Sequence, residues 1–346
     1  MITHSKVVLD EEDIAGVTRV LQSGMLAQGK VTSLLEDNIA SFVGAKHAVA
    51  VSSGTAALHL SLLALGIKDG AEVIIPSYVC TALLNAVNYA GARPVLADIN
   101  PDTYNIEVGS IKKAVTNKTR AVIVPHMFGL AADIDDIVSL GIPVIEDCAQ
   151  SIGARIKGRY AGSFGTLSIF SFYATKMLGA GEGGMVLSDD PDLIETVRDL
   201  RGYDERDTYK TRYNYKITDI QTALCNSLLK KLPSFIDKRK EIASTYNAGL
   251  TGEKIKTPIV QGEREHVYYR YVVSVKNPLQ FMSEMKSRGV ECRRPVFKPL
   301  HAYLQLSGYP NTDEVCGNAV SIPIYPSLRK EEVRMIVDAV QAVLFS

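Results

Sequence analysis

Residues 143–147 read Pro-Val-Ile-Glu-Asp, a short apolar run that passes straight into two carboxylates. The same construction recurs upstream. Val73–Ile75 is stopped by Pro76, Pro94–Ala97 runs into Asp98, and Ala121–Val124 is ended by Pro125. Helical patterns lie between these runs: Ala82–Tyr89 before Gly91, Ile111–Val115, and Ile134–Leu140 before Gly141. Strands that are apolar throughout belong to a sheet buried on both faces. Strand–helix–strand alternation implies right-handed crossovers and a three-layer α/β/α domain.

Downstream the rhythm changes. Leu167–Phe172 and Met185–Ser188 read as strands around a glycine-rich stretch, and Ile217–Leu232 and Ile236–Tyr246 read as helices. From His266 the order is strand (Val267–Val275), helix (Leu279–Arg288), strand (Val290–Arg294) and a final helix (Lys330–Leu344). This predicts a smaller α+β module. Gly249 and Gly252 place the boundary near 248/249, giving a large domain over 1–248 and a small one over 249–346. The N-terminal segment is expected to pack on the small domain.

The 346 residues carry 38 Lys+Arg against 38 Asp+Glu, a balance that argues against a general nucleic-acid binder. No apolar run is long enough for a membrane-spanning helix. The N-terminus lacks the apolar core of a signal peptide, so a soluble, cytoplasmic protein is expected. Five scattered cysteines with no CxxC pair suggest neither a disulfide framework nor a metal site.

In open α/β sheets the chemistry sits at the carboxyl ends of the strands. Four features lie there. Ser52-Ser53-Gly54-Thr55 follows an apolar run and opens a helix, which makes either a plain N-cap or an anion cradle. Asp147 ends its strand, and a carboxylate there is either a surface cap or a buried group needing a cationic partner. Gln150 follows three residues later. Lys176 comes after the strand ending Phe170-Ser171-Phe172, and a lysine that loses hydration favours the neutral amine that Schiff-base chemistry needs. Asn214-Tyr215-Lys216 precedes a long helix that Thr218 and Asp219 suit as a cap. Gly179–Gly184 satisfies G-x-G-x-x-G, but a strand follows it where a dinucleotide site requires a helix, so it reads as a tight turn beside Lys176. Together, a lysine, a strand-end aspartate and a Ser/Gly/Thr helix start describe a pyridoxal phosphate site.

These segments, with Gly24–Gly29, Asn100–Tyr104, Lys298-Pro299-Leu300-His301 and Ile322–Leu328, resemble the DegT/DnrJ/EryC1/StrS family of sugar aminotransferases, within fold type I of the pyridoxal phosphate enzymes. The resemblance covers nearly the whole chain. It implies Lys176 as the Schiff-base lysine, Asp147 as the pyridinium partner and Gln150 beside the phenolic oxygen. It implies Ser53, Gly54, Thr55 and Ser171 as phosphate contacts. Asn214 would reach the cofactor of the neighbouring subunit, which makes a homodimer part of the site.

Two positions depart from the family pattern. Cys80 stands where an aromatic residue often covers the cofactor ring, with Tyr78 two residues earlier as the other candidate. Lys216 replaces the usual arginine. His301 and Tyr325 are candidate substrate contacts. The implied reaction moves an amino group from L-glutamate to a keto-sugar linked to a nucleotide. A keto-cyclitol acceptor, or a cofactor-binding regulator without turnover, is the alternative.

Overall fold

The computed structural model describes residues 1–345. Seven strands form the main sheet: β1 His47–Val51, β2 Glu72–Pro76, β3 Arg93–Ala97, β4 Thr119–Pro125, β5 Val144–Asp147, β6 Leu167–Ser171 and β7 Gly184–Ser188. Their order is β1-β7-β6-β5-β4-β2-β3. The pairs from β6 through β3 are parallel, whereas β7 runs antiparallel to both β1 and β6. Alternate residues of one strand serve opposite cores: Ile74 faces one, while Val73 and Ile75 face the other. That period of two, apolar on both sides, is why the strands read as unbroken hydrophobic runs. Parallel pairing also brings the ends of β2, β4, β5 and β6 to one edge of the sheet, with Pro125 opposite Asp147 in register.

Helices cover both faces: α1 Glu11–Ser23, α2 Lys30–Val43, α3 Gly54–Ala64, α4 Ala82–Tyr89, α5 Val108–Ala114, α6 Ile134–Val138, α7 Pro191–Leu200 and α8 Asp219–Gly249. Helix α8 is one element where two were expected. Pro233 removes a backbone donor inside it, but the helix continues because both halves are packed, the first against α1 and α2 and the second against the C-terminal helix. Asp219 serves a second helix: it accepts backbone N–H groups of Gly29, Val31 and Thr32 at the start of α2, at 2.8, 3.2 and 3.0 Å.

The smaller module holds β8 Ile255–Lys256, β9 Tyr271–Val275 and β10 Ala319–Ile322 as an antiparallel sheet in the order β8-β9-β10. It is packed by α9 Pro278–Ser287, α10 Leu300–Tyr303, α11 Pro310–Asn318 and α12 Lys330–Phe345. Two expected strands differ. The strand expected from Val267 begins only at Tyr271, because Val267 and Arg270 donate their N–H groups to Gly129 and Phe128 of the large domain, at 3.0 and 3.3 Å. Val290–Arg294 makes only isolated bridges, Val290 with Ile2 and Arg293 with Ser321. Its three charged residues keep it on the rim, and the fully buried Ala319–Ile322 takes the place beside β9. The core of this module includes Ile242, Ala243 and Tyr246 from the end of α8, and Ile2 from the N-terminus. Among the described residues no helix is long and apolar enough to cross a membrane.

Candidate active site

The helix start at Ser53 is a true cap. Its hydroxyl accepts the Ala56 N–H at 3.0 Å, and its backbone is extended before α3 turns. The first N–H groups of a helix have no intrahelical acceptor and face outward with the positive end of the helix dipole. Ser171, at the end of β6, lies against this start: a Cβ on Gly54 would come within 2.9 Å of the Ser171 Cβ. Gly184 closes the cradle from β7, where a Cβ would sit 2.5 Å from the Ser53 carbonyl carbon and oxygen. Ser171 is thereby brought against the Ser53-Gly54-Thr55 helix start. The adjoining loop is tied to it, since Ser52 N–H donates to Tyr215 O at 2.8 Å. Asn214, one residue earlier, is exposed and makes no side-chain hydrogen bond among the described residues. Lys216 turns away to pair with Asp204.

Asp147 and Glu146 end the same strand in opposite electrostatic states. Glu146 is fully buried and saturated. It accepts from His126 Nε2 at 2.9 Å and from the N–H groups of Gly162, Phe164 and Gly165 at 2.8, 2.7 and 2.6 Å. Burial pushes its carboxyl up, but the contact with His126 and the Gly165 and Gly162 N–H groups outweigh it and hold the group below the ordinary carboxylate range. Asp147 is 8 % exposed and has one donor, the Ala149 N–H at 3.0 Å. Burial raises its carboxyl, and Ala149 N–H and Lys176 only partly oppose this. It is a buried acid with bonding capacity to spare, the condition a protonated pyridine nitrogen would satisfy.

Lys176 does not sit on the strand. It lies five residues beyond it in a turn held by Lys176 N–H to Tyr173 O (2.8 Å) and Ala180 N–H to Phe172 O (2.9 Å). Its side chain is half-buried, and Nζ lies 5.2 Å from the centre of the Tyr269 ring. Cys80 is exposed, and burial of its thiol, then Asp147, raise it while Lys176 opposes. Tyr78 is elsewhere: it is 1 % exposed and stacks on Tyr104 in the core at 6.0 Å. Gln150 spends its amide oxygen on the Phe128 N–H at 3.1 Å, so its NH2 is the end left to donate.

The two expected substrate contacts are not brought to this cleft. His301 is 6 % exposed, with Nδ1 at 2.7 Å from Ser77 Oγ, Nε2 at 3.1 Å from Asp313 and its ring stacked on Tyr309. It docks the small domain on the large one. Tyr325, 5 % exposed, turns into the small-domain core. Tyr269 and Arg270, which do approach Lys176, follow a stretch whose alternation reads only as a strand. Nothing local distinguishes them.

The recess, the under-satisfied Asp147 and the half-buried lysine fit pyridoxal phosphate: an anion cradle, a ring-nitrogen partner and a tethering amine on one sheet edge. Comparison with known proteins agrees. The model of the DegT/DnrJ/EryC1/StrS aminotransferase family matches residues 7–341. The chain is 33% identical to GDP-perosamine synthase from Caulobacter vibrioides, over 91% of each protein. It is 32% identical to a pleiotropic regulatory protein from Geobacillus stearothermophilus, over 96% of this chain and 94% of the relative. The solved putative sugar aminotransferase Spr1654 from Streptococcus pneumoniae, in its PLP form, superposes with a TM-score of 0.93 at 26% identity, covering 99% of this chain and 98% of that one. The architecture is that of a fold type I transferase, the cofactor is pyridoxal phosphate, and the chain belongs to the DegT/DnrJ/EryC1/StrS aminotransferase family.

Proposed function

We propose that the protein moves an amino group from L-glutamate to a keto-sugar carried on a nucleoside diphosphate. The observation that carries this reading is the convergence of Lys176, Asp147 and the Ser53–Ser171 cradle at the carboxyl edge of one sheet. The nucleotide-linked acceptor is supported by the name of the GDP-perosamine synthase relative.

When bound, pyridoxal phosphate supplies an electron sink for the charge that develops at the donor's Cα. The residues of the chain do the rest. Gly54, Thr55, Ser53 and Ser171 hold the phosphate with hydroxyls and helix-start N–H groups. Asp147 would accept the ring N–H and hold that proton in place. The Gln150 NH2 would be free to donate to the phenolic oxygen. Cys80 would offer a polarizable sulfur to the ring. Lys176 would tether the cofactor, and its amine is the group that would serve as base and acid for the proton at the donor's Cα.

The exposed Asn214 side chain is free to complete the cradle of a second subunit, the role that the family resemblance implies, and the working unit in this reading is a homodimer. Reduced, dispersed cysteines support a cytoplasmic setting.

The test is the visible absorption of the purified, cofactor-loaded protein before and after L-glutamate, beside Lys176→Ala. Bleaching by glutamate in the wild type and not in the variant is the expected result. A band indifferent to every amino donor would instead favour a role without turnover, as the name of the regulatory relative suggests.

A further inference from the structure

His59 is a buried histidine that the proposed chemistry leaves unused. It lies on α3, the helix whose start forms the cradle, one turn along from Thr55 and on the same face. The imidazole is 3 % exposed, and its Nε2 is buried with no hydrogen-bond partner. Burial draws the group below its usual range and the Tyr89 backbone only partly opposes this, so the ring is neutral at pH 7.

Three tyrosines close over this ring. Tyr213 meets it edge-on with ring centres 4.9 Å apart, Tyr89 at 5.7 Å and Tyr215 at 6.0 Å. The Tyr215 hydroxyl lies 3.3 Å from His59 Nδ1, which the neutral ring can offer as an acceptor. A phenylalanine in this place would have no such directional contact.

Tyr213 and Tyr215 also stack on each other, with ring centres 5.0 Å apart and planes within 14° of parallel. Both side chains therefore leave the backbone on one side. In an extended segment alternate side chains take opposite sides. Asn214, between the two, is turned away from α3, and it is exposed. The backbone is held in the same pose. Tyr213 N–H donates to Leu200 O and Tyr215 N–H to Arg201 O, both at 2.9 Å, and Tyr215 O accepts from Ser52. Arg201 is anchored in turn, since its Nη1 donates to Glu36 Oε1 at 2.9 Å and to Ala50 O at 2.8 Å. A side chain presented from a fixed backbone makes its contact without the entropy cost of ordering a loop.

We propose that His59, Tyr213 and Tyr215 are positioning residues for the reaction, and that their stack on α3 aims Asn214 at the cofactor phosphate of the neighbouring subunit. The inference rests on the reading of Asn214 given above. One helix then serves two sites. The first turn of α3 faces the phosphate of its own subunit, and its second turn carries the ring that supports the contact made to the other.

The test is a cycle of variants read as affinity for pyridoxal phosphate, titrated by visible absorption. Tyr213→Leu should weaken binding about two- to tenfold, the worth of one aromatic pair. Tyr213→Phe, which keeps the ring, should bind as the wild type does. Made in an Asn214→Ala background, Tyr213→Leu should have no further effect, because the group it aims is gone. A purely structural role predicts that the two losses multiply, and that result overturns the proposal. His59→Phe covers the case in which Tyr213→Leu does not fold. It should weaken binding about twofold or more in the wild type, and not at all beside Asn214→Ala. The two readings fail separately. Weakening by Asn214→Ala that neither Tyr213→Leu nor His59→Phe reproduces would sink this inference alone. Asn214→Ala with wild-type affinity would sink the shared site, and any weakening left in Tyr213→Leu would then assign the stack to its own cradle through Ser52.

Discussion

His126 and Glu146 form a fully buried hydrogen-bonded pair, Nε2 to Oε2 at 2.9 Å, immediately behind Asp147. The His126 Nδ1 accepts the Ala132 N–H at 3.0 Å, so the ring proton lies on Nε2 and points at Glu146. The His126 N–H in turn donates to the Asp147 carbonyl at 3.1 Å. The pair thus fixes the backbone of the residue proposed to hold the cofactor's ring nitrogen.

Glu146→Gln keeps the shape but turns an amide NH2 toward two donors, either the Phe164 and Gly165 N–H groups or the Gly162 N–H and His126 Nε2. It should cost at least about 2 kcal/mol, the worth of a hydrogen bond to a buried charge, read as a lower urea midpoint. The pH dependence has a definite sign. A folded-state carboxyl held below its unfolded value stabilises the fold above that unfolded value, and the contribution is lost as pH falls through the folded one. The wild type should therefore lose stability below about pH 4.5, the region of an unperturbed glutamate, and the variant should lose less over the same range.

Asp147→Asn separates cofactor chemistry from folding. The carboxyl of Asp147 is raised by burial and has a single donor, so it is a strained group in the apoprotein. The apo variant should match or exceed the wild type in denaturant stability. Single-turnover reaction with L-glutamate should slow by about 10²–10³-fold, as for removal of one preorganised electrostatic partner. Equal loss of stability and rate would mean that Asp147 is structural.

Gly184→Ala tests the cradle. Its Cβ would meet the Ser53 carbonyl at 2.5 Å, where only backbone can yield. Overpacking of this kind costs about 1–3 kcal/mol, and the displaced helix start should weaken pyridoxal phosphate binding in a fluorescence or absorbance titration. Unchanged affinity would remove Ser53 and Gly54 from the phosphate site.

Asn214→Ala tests the shared site. Loss of one hydrogen bond to a phosphate should weaken cofactor binding by about tenfold or more. Mixing this variant with Lys176→Ala provides the sharper measurement. If Asn214 serves the neighbouring subunit, each mixed dimer regains one intact site and activity reappears. If it serves its own subunit, no combination restores a site.

The features legible in the sequence are local ones. Asp147 was readable because a doubly buried parallel strand is apolar until it ends, so a carboxylate marks the edge. The Ser53 cap and the turns around Lys176 announce themselves through hydroxyls and glycines within a few residues. The sequence alone therefore determined the sheet, the helix start and the three groups suited to pyridoxal phosphate. Tertiary structure decided what depends on residues far apart in the chain. His301 is a docking residue because Ser77, 224 positions away, takes its Nδ1. Tyr78 is buried against Tyr104 and Phe128. The strand expected from Val267 is shortened by hydrogen bonds to Phe128 and Gly129. Arg239 and Arg270 look like ordinary surface cations until folding brings them, with Lys176, to the wall of one cavity. Hydrophobic periodicity and capping act over a few residues, whereas electrostatic pairing depends on which side chains the fold brings together.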